Sequence, residues 1–375
     1  MIIATENVRI RFLTSTPLDI RRGSGTYVGI HVLARALREL GHTVEIEGPR
    51  HRLPVYTAER LLYNRGLRPS GEFDLTVGFD MDGYRIASRG GRHVAALKGV
   101  VADEVRFERG ITRLTMAMQA RCERLHVHRA ARVLCTSRYS AESARELYGL
   151  REMPAIVPEL IDLREWRRLL GNSGTGCETP KLQGFHCQSL NCRVLFVGRL
   201  YRRKRVEVLL RAVAALGGRV PGLAVRIVGN GPCAPTLHRL ARELKLDGAV
   251  TWLGDVSRAE LAAEYNRADI FCLPSVQEGF GIVLLEAMAA GKAIVASRAA
   301  AIPEVVPHGC LVEPENPEAL AEAIAGLARS PEARAAMGRS GAEWVAQFDA
   351  PLVARRFLEA AMGAVLLPAQ RNRQE

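Results

Sequence analysis

At 375 residues the chain is long for a single hydrophobic core and implies two domains. Its 48% apolar and 25% charged content is that of a soluble globular protein, and no run of about 18 uncharged apolar residues offers a membrane span. The net charge of +12 invites a nucleic acid or an anionic membrane as partner, yet residues 1–165 and 166–375 each carry 26 basic and 20 acidic side chains, so no basic arm exists. No aromatic-basic signature accompanies the charge, and nucleic acid is not an expected partner. Weak attraction to an anionic membrane surface remains compatible with it. The opening "MIIATENVRIRF" has charges where a signal peptide needs an apolar core, so a cytoplasmic protein is expected, with peripheral residence at the inner membrane face left open.

In chain order, "VRIRFLTS" reads as strand, "TYVGIHVLARALRELG" as amphipathic helix ended by Gly41, and "HTVEIEGP" as strand. "FDLTVGF" and "HVAAL" follow as strands, then a long helical pattern over 104–130 and the strand "ARVLCTS". Residues 166–190 lapse into Gly, Ser, Thr, Asn and Gln, which is linker chemistry. Alternation then restarts with strands "CRVLFVG", "LAVRIVG", "AVTWLG", "DIFCLP" and "AIVAS", separated by helices at 204–216, 233–244, 257–266 and 281–290, and three helical patterns close the chain. The fold class is therefore α/β: two doubly wound parallel sheets, over 1–165 and 191–349, facing across a cleft. Ligands of such sheets sit at the carboxyl ends of the strands, which makes the cleft the expected site.

The eight cysteines show no paired framework and read as free thiols. Cys177, His186, Cys187 and Cys192 crowd into one polar segment, but their spacing fits no familiar zinc module.

Three strand-to-helix junctions in the second half carry chemistry. "FVGRLYRRKRVEVLLRA" puts Gly198 and Arg199 just past a strand and Lys204 at the mouth of a helix, where two cations beside free amides suit a diphosphate. "VGNGP" sets Gly229 in a turn that serves either close ligand approach or plain tight geometry. In "EGFGIVLLEAMAAGKAIVAS", Gly279, Phe280, Gly281 and Ile282 lead into a helix whose first amides lack partners and whose dipole is positive there. Glu278 at the strand edge could accept from sugar hydroxyls. Glu286, among apolar neighbours, costs several kcal/mol unless something meets it. Two vicinal hydroxyls of a ribose would do so; the alternative is pairing with an internal arginine.

Together these segments, with "RRGSGTYVGIHVLARALRELGHTVEI", "WLGDV" and "IPEVVPHGCLVEPENPEALAEAI", resemble the retaining glycosyltransferases of family 4, with the GT-B fold and an E-x7-E motif. The resemblance spans nearly the whole chain. It implies transfer of a hexosyl group from a nucleoside diphosphate sugar to an acceptor hydroxyl on a glycan, lipid or small molecule, with retention at the anomeric carbon. By the same resemblance Arg199 and Lys204 bind the donor diphosphate, Glu278 the sugar, Glu286 the ribose, and the 279–282 amides the distal phosphate and sugar. Gly23 and Gly25 match the family's first-domain glycine loop, and a C-terminal helix near 350–375 is expected to return to the first domain. Two departures stand out. Lys98 lies near the place of a histidine that many members carry, and is either a substitute cation in the cleft, the favoured reading, or an ordinary loop residue. Arg205 replaces a glycine and is expected to add charge near the phosphates. An epimerase or phosphorylase on the same fold, or a silent nucleotide-sugar-binding subunit, are the alternative readings.

Asp80-Met81-Asp82 spells the Asp-x-Asp of metal-dependent transferases of another fold. Two aspartates are a sparse magnesium set, and Asp82-Gly83 reads as a turn. No metal or other cofactor is expected, and Asp82→Asn is expected to leave donor affinity intact.

Overall fold

The computed structural model describes residues 7–16, 25–49, 53, 55–172 and 192–363. The first sheet comprises β1 (Arg9–Leu13), β2 (Thr43–Glu47), β3 (Leu75–Phe79), β4 (His93–Leu97), β5 (Arg132–Cys135) and β6 (Ala155–Ile156), in the order β2-β1-β3-β4-β5-β6. The second comprises β7 (Arg193–Val197), β8 (Ala224–Val228), β9 (Val250–Gly254), β10 (Ile270–Leu273), β11 (Ala293–Ser297) and β12 (Cys310–Val312), in the order β12-β11-β10-β7-β8-β9. All pairings of named strands are parallel. The central strands read as short apolar runs because helices cover both of their faces. Strand order reverses between β1 and β3 in one sheet and between β7 and β10 in the other, and ligands of open α/β sheets bind at such points.

Helices of the first half are α1 (Gly25–Glu39), α2 (Tyr56–Gly66), α3 (Val101–Glu104), α4 (Gly110–Arg129) and α5 (Arg138–Tyr148). The helical pattern expected over 104–130 is broken: a 3-10 turn at Val105–Phe107 ends α3, and Gly110 opens α4 with φ +58°. The crossover α6 (Leu163–Asn172) corrects the expectation of a linker from residue 166. Leu163 and Trp166, three residues apart, enter the core of the second half, so this helix belongs there. Residues 173–191 lie outside the described residues.

The second half continues with α7 (Val206–Leu216), α8 (Ala234–Glu243), α9 (Arg258–Arg267), α10 (Ile282–Ala289), α11 (Ile302–Val305), α12 (Pro317–Arg329) and α13 (Pro331–Trp344). Helix α14 (Ala350–Met362), capped by the Asp349 side chain, crosses back to pack Ala350, Val353, Ala354, Phe357 and Ala361 with Ile10, Phe12 and Phe79. The C-terminal helix thus ties the two halves together.

The first half also holds a buried polar hub. Asp82 is fully buried; its Oδ2 accepts from Ser15 N and Oγ, both at 2.7 Å, and from Arg60 Nη2 at 3.3 Å, and its Oδ1 from Asn64 Nδ2 at 2.9 Å. These bonds fix the loop after β1 against α2. Asp82 is therefore engaged within the fold, and Asp80 Oδ1 accepts from Lys98 N at 2.9 Å. Asp82→Asn, expected to leave donor affinity intact, carries a cost in stability. The neutral amide strips buried Arg60 of its nearest counter-charge, so this variant should lose about 3 kcal/mol in denaturant unfolding. A loss below about 1 kcal/mol would show that the hub does not hold the domain.

Beside the hub, burial raises Glu123 to about 8 and Asp80 to about 6, and lowers His93 to about 3 and His126 to about 4. Below pH 6.5 the histidines, which bind protons only when unfolded, oppose the two carboxyls. From about pH 7.5, where unfolded histidines (those of His31, His42 and His308, also depressed by burial, included) have largely lost their protons, to pH 8 Glu123 dominates: the folded chain keeps its proton and the unfolded chain does not. Stability should therefore fall across that window, by at most about 1.4 kcal/mol per pH unit. Unfolding titrations of Glu123→Gln should lack this decline; the same slope in both proteins would contradict the assignment.

Candidate functional site

The loops after β7 and β10 flank the switch point of the second sheet, and the sequence candidates converge there. Gly198 N donates to Val228 O at 3.0 Å and Arg199 follows, half-buried, its guanidinium over the Tyr201 ring at 5.9 Å. Arg203 stacks on the same ring at 5.3 Å. Among the described residues Arg199 has no carboxylate within salt-bridge distance. Lys204 does: its Nζ lies 2.6 Å from Glu278 Oε1, with both side chains nearly buried. Burial pulls the Lys204 pKa down, against the opposing pull of Glu278. The two residues expected to bind phosphate and sugar are each other's counter-ion.

Helix α10 begins after Gly281, which sits in the left-handed region at φ +90° and so turns the chain into the helix. The first amides of such a helix have no intrahelical partner. The Phe280 side chain is 5% exposed, meets Phe348 edge-on at 5.6 Å and belongs to the core. Only its backbone can face the cleft. Ile282 packs half-buried on the same core.

Glu286 has an internal partner. Its Oε2 accepts from the Tyr265 hydroxyl at 3.1 Å, and its carbonyl accepts from Trp166 Nε1 at 3.1 Å. Burial raises its pKa, countered by Arg258 and the Tyr265 hydrogen bond. A ligand is thus not needed to explain why a carboxylate is tolerated there. Sequence reasoning missed Tyr265, which reads as an ordinary core aromatic in "EYNRADIF".

Gly229 has a backbone reason of its own. At φ +113°, an added Cβ would stand 2.1 Å from Gly198 O, so the glycine lets the β8 turn lie against the β7 loop. The two departures both have carboxylate partners. Lys98 Nζ pairs with Glu159 Oε2 at 2.9 Å inside the first half, as Lys204 does with Glu278. Arg205 takes a left-handed conformation, φ +48°, that a glycine would adopt freely, and its guanidinium turns to Glu207 at 3.4 Å and Glu315 at 3.0 Å. Gly23 lies outside the described residues, as do Cys177, His186 and Cys187; Gly25 opens α1, and Cys192 is a buried free thiol.

The halves meet at the α10 loop. The Gly279 carbonyl accepts from Thr136 Oγ1 (3.1 Å), Ser137 Oγ (2.8 Å) and Ser140 Oγ (2.9 Å) at the start of α5. Glu304 in α11 returns the contact by accepting from the α5 amides Arg138 N (2.9 Å) and Tyr139 N (2.8 Å). Arg203 adds an ion pair to Glu104 at 3.5 Å. A Cβ on Gly279 would lie 2.8 Å from Lys98 O and 3.0 Å from Gly99 Cα, both in the opposite half. Gly279→Ala should therefore part the halves: the radius of gyration from small-angle scattering should grow while far-UV circular dichroism is kept. An unchanged scattering profile would mean the seam absorbs the methyl group.

Comparison with known proteins fits this geometry. Residues 191–344 match the family model described as glycosyl transferases group 1. A GDP-mannose-dependent alpha-(1-6)-phosphatidylinositol monomannoside mannosyltransferase of Mycobacterium tuberculosis is 37% identical over 162 residues, 40% of this chain and 42% of the relative. The D-inositol 3-phosphate glycosyltransferase 2 of Catenulispora acidiphila is 40% identical over 167 residues, 41% of this chain and 39% of that protein. The chain thus spans about two-fifths of the length of these relatives. Among solved structures, sucrose-phosphate synthase from Thermosynechococcus elongatus matches with TM-score 0.72 at 21% identity, over 94% of this chain and 98% of that one. HepE of Anabaena, in complex with UDP and glucose, matches with TM-score 0.65 at 18% identity, over 94% and 99%. The chain has the two-domain GT-B fold, and its second half carries the glycosyl transferases group 1 match.

Proposed function

We propose that the chain is a retaining glycosyltransferase of family 4 that moves a hexosyl group from a nucleoside diphosphate sugar to an acceptor hydroxyl. One observation carries this reading: Arg199, the Lys204–Glu278 pair and the start of α10 meet at the switch point of the second sheet. The names of the relatives, which specify GDP-mannose and inositol acceptors, favour a polyol or inositol-type hydroxyl as acceptor.

In the proposed reaction the bond from the anomeric carbon to the diphosphate breaks, and the acceptor oxygen bonds to that carbon on the same face. The acceptor proton passes to the departing phosphate oxygen, so no protein nucleophile is required. Arg199, Lys204 and the amides of 279–282 stabilise the charge that grows on the leaving group. Lys204 holds Glu278 Oε1, which leaves Oε2 for a sugar hydroxyl. Glu286 binds the ribose beside Tyr265. With two cations and a helix terminus on the phosphates, transfer needs no metal and should persist in excess EDTA.

Arg199→Ala and Lys204→Ala should each lower turnover by roughly two orders of magnitude with the fold preserved. Glu286→Gln, which keeps an acceptor for Tyr265, should weaken nucleoside diphosphate binding without a large loss of stability. The assay follows donor consumption with a panel of GDP-, UDP- and ADP-sugars, with and without inositol-type acceptors. Near wild-type rates in the first two variants would remove the diphosphate assignment. Consumption without any acceptor would favour an epimerase.

A further inference from the structure

Large hydrophobic side chains exposed on this protein are unevenly placed. Of the twelve among the described residues, eight lie between Leu53 and Leu125 in the first half, and four of those are on α4: Ile111 (73% exposed), Leu114 (65%), Met118 and Leu125. Their spacing of i, i+3, i+7 and i+14 puts them in one stripe along the helix. Arg113, Arg121 and Arg124 are exposed along one flank of that stripe, with Arg109 and Arg129 at its ends. The one carboxylate of the helix, Glu123, is fully buried on the opposite face. The outward surface of α4 is therefore apolar and basic, with no acidic side chain.

We propose that α4 docks the protein on the surface of an anionic lipid bilayer, with the stripe in the acyl boundary and the arginines at the headgroups. The chemistry fits: such helices combine a Leu- or Phe-type face with Lys or Arg beside it, and arginine stems lie along an apolar surface while their heads reach charge. A second copy of the chain fits worse. Two α4 faces related by a twofold axis would bring arginines together with no carboxylate between them. Helix α2 is hydrogen-bonded to α4 through Gln119, Thr57 and Arg60, and adds exposed Val55, Tyr56 and Leu62 nearby. Position gives the docking a use. Just before α4, Glu104 at the end of α3 pairs with Arg203 at 3.5 Å across the domain seam, so the helix starts beside the cleft. A bilayer held there would present lipid headgroups to the site. The inference does not rest on the transferase reading.

The test uses the full chain and sedimentation with two vesicle types, phosphatidylcholine alone and phosphatidylcholine with about a third phosphatidylglycerol. The wild type should sediment with the anionic vesicles only, less so as salt rises. Arg113→Gln/Arg121→Gln/Arg124→Gln should lower the partition about 100-fold, at about fivefold per charge. Ile111→Ser/Leu114→Ser/Met118→Ser should also lower it, and both variants should keep the wild-type melting temperature. Absence of binding to anionic vesicles, or variants that partition like the wild type, would overturn the proposal. So would a wild-type dimer that these variants dissolve, which would assign the face to a second copy.

Discussion

Everything else at the cleft depends on how one carbonyl, that of Gly279, is held. Three hydroxyls from the start of α5 converge on it, and a carbonyl has lone pairs for about two good hydrogen bonds. At about 1 kcal/mol net each, these bonds are modest. Their effect is geometric: they set the loop entering α10 against the first half, with the Lys98 backbone in contact. Glu304 answers from the second half by capping α5, so the tie runs in both directions. The missing Cβ of Gly279 is what lets the halves come this close.

Around that seam nearly every cation has a carboxylate. Lys204 faces Glu278, Arg203 faces Glu104, Arg205 faces Glu207 and Glu315, and Lys98 faces Glu159. Buried charges demand such pairing, because an isolated one loses its hydration without compensation. The consequence for function is that a bound anion must share Lys204 with Glu278. Arg199, stacked on Tyr201, can meet an anion without surrendering a partner. In the proposed site one cation is thus ready for an anion and a second is held by its carboxylate.

Much of this was legible from sequence. Strand and helix alternation predicted both sheets, because strands buried on two faces read as short apolar runs. The three junctions of the second half stood out, since glycines and charges there interrupt apolar periodicity. What sequence did not reveal is pairing across distance. Glu286 invites a ligand in one dimension, whereas Tyr265, 21 residues earlier, meets it in three. Lys98 stands out as the only lysine of the first 165 residues, yet Glu159, 61 residues on, takes its charge. Helix α6 was hidden because its polar continuation masked the short apolar spacing of Leu163 and Trp166. The role of Ser137 was within reach: "TSRYSAE" carries an N-cap signature, and the same hydroxyl both caps α5 and grips Gly279.

The central claim is that the switch point of the second sheet binds a nucleoside diphosphate through Arg199 and Lys204. Calorimetric titration of GDP and UDP into the wild type and into an Arg199→Ala/Lys204→Ala double variant addresses it most directly. Saturable one-to-one binding of at least one nucleotide by the wild type, abolished in a double variant that still melts cooperatively, is the predicted result. Equal affinity in both proteins, or no binding of either nucleotide by the wild type, would contradict the account.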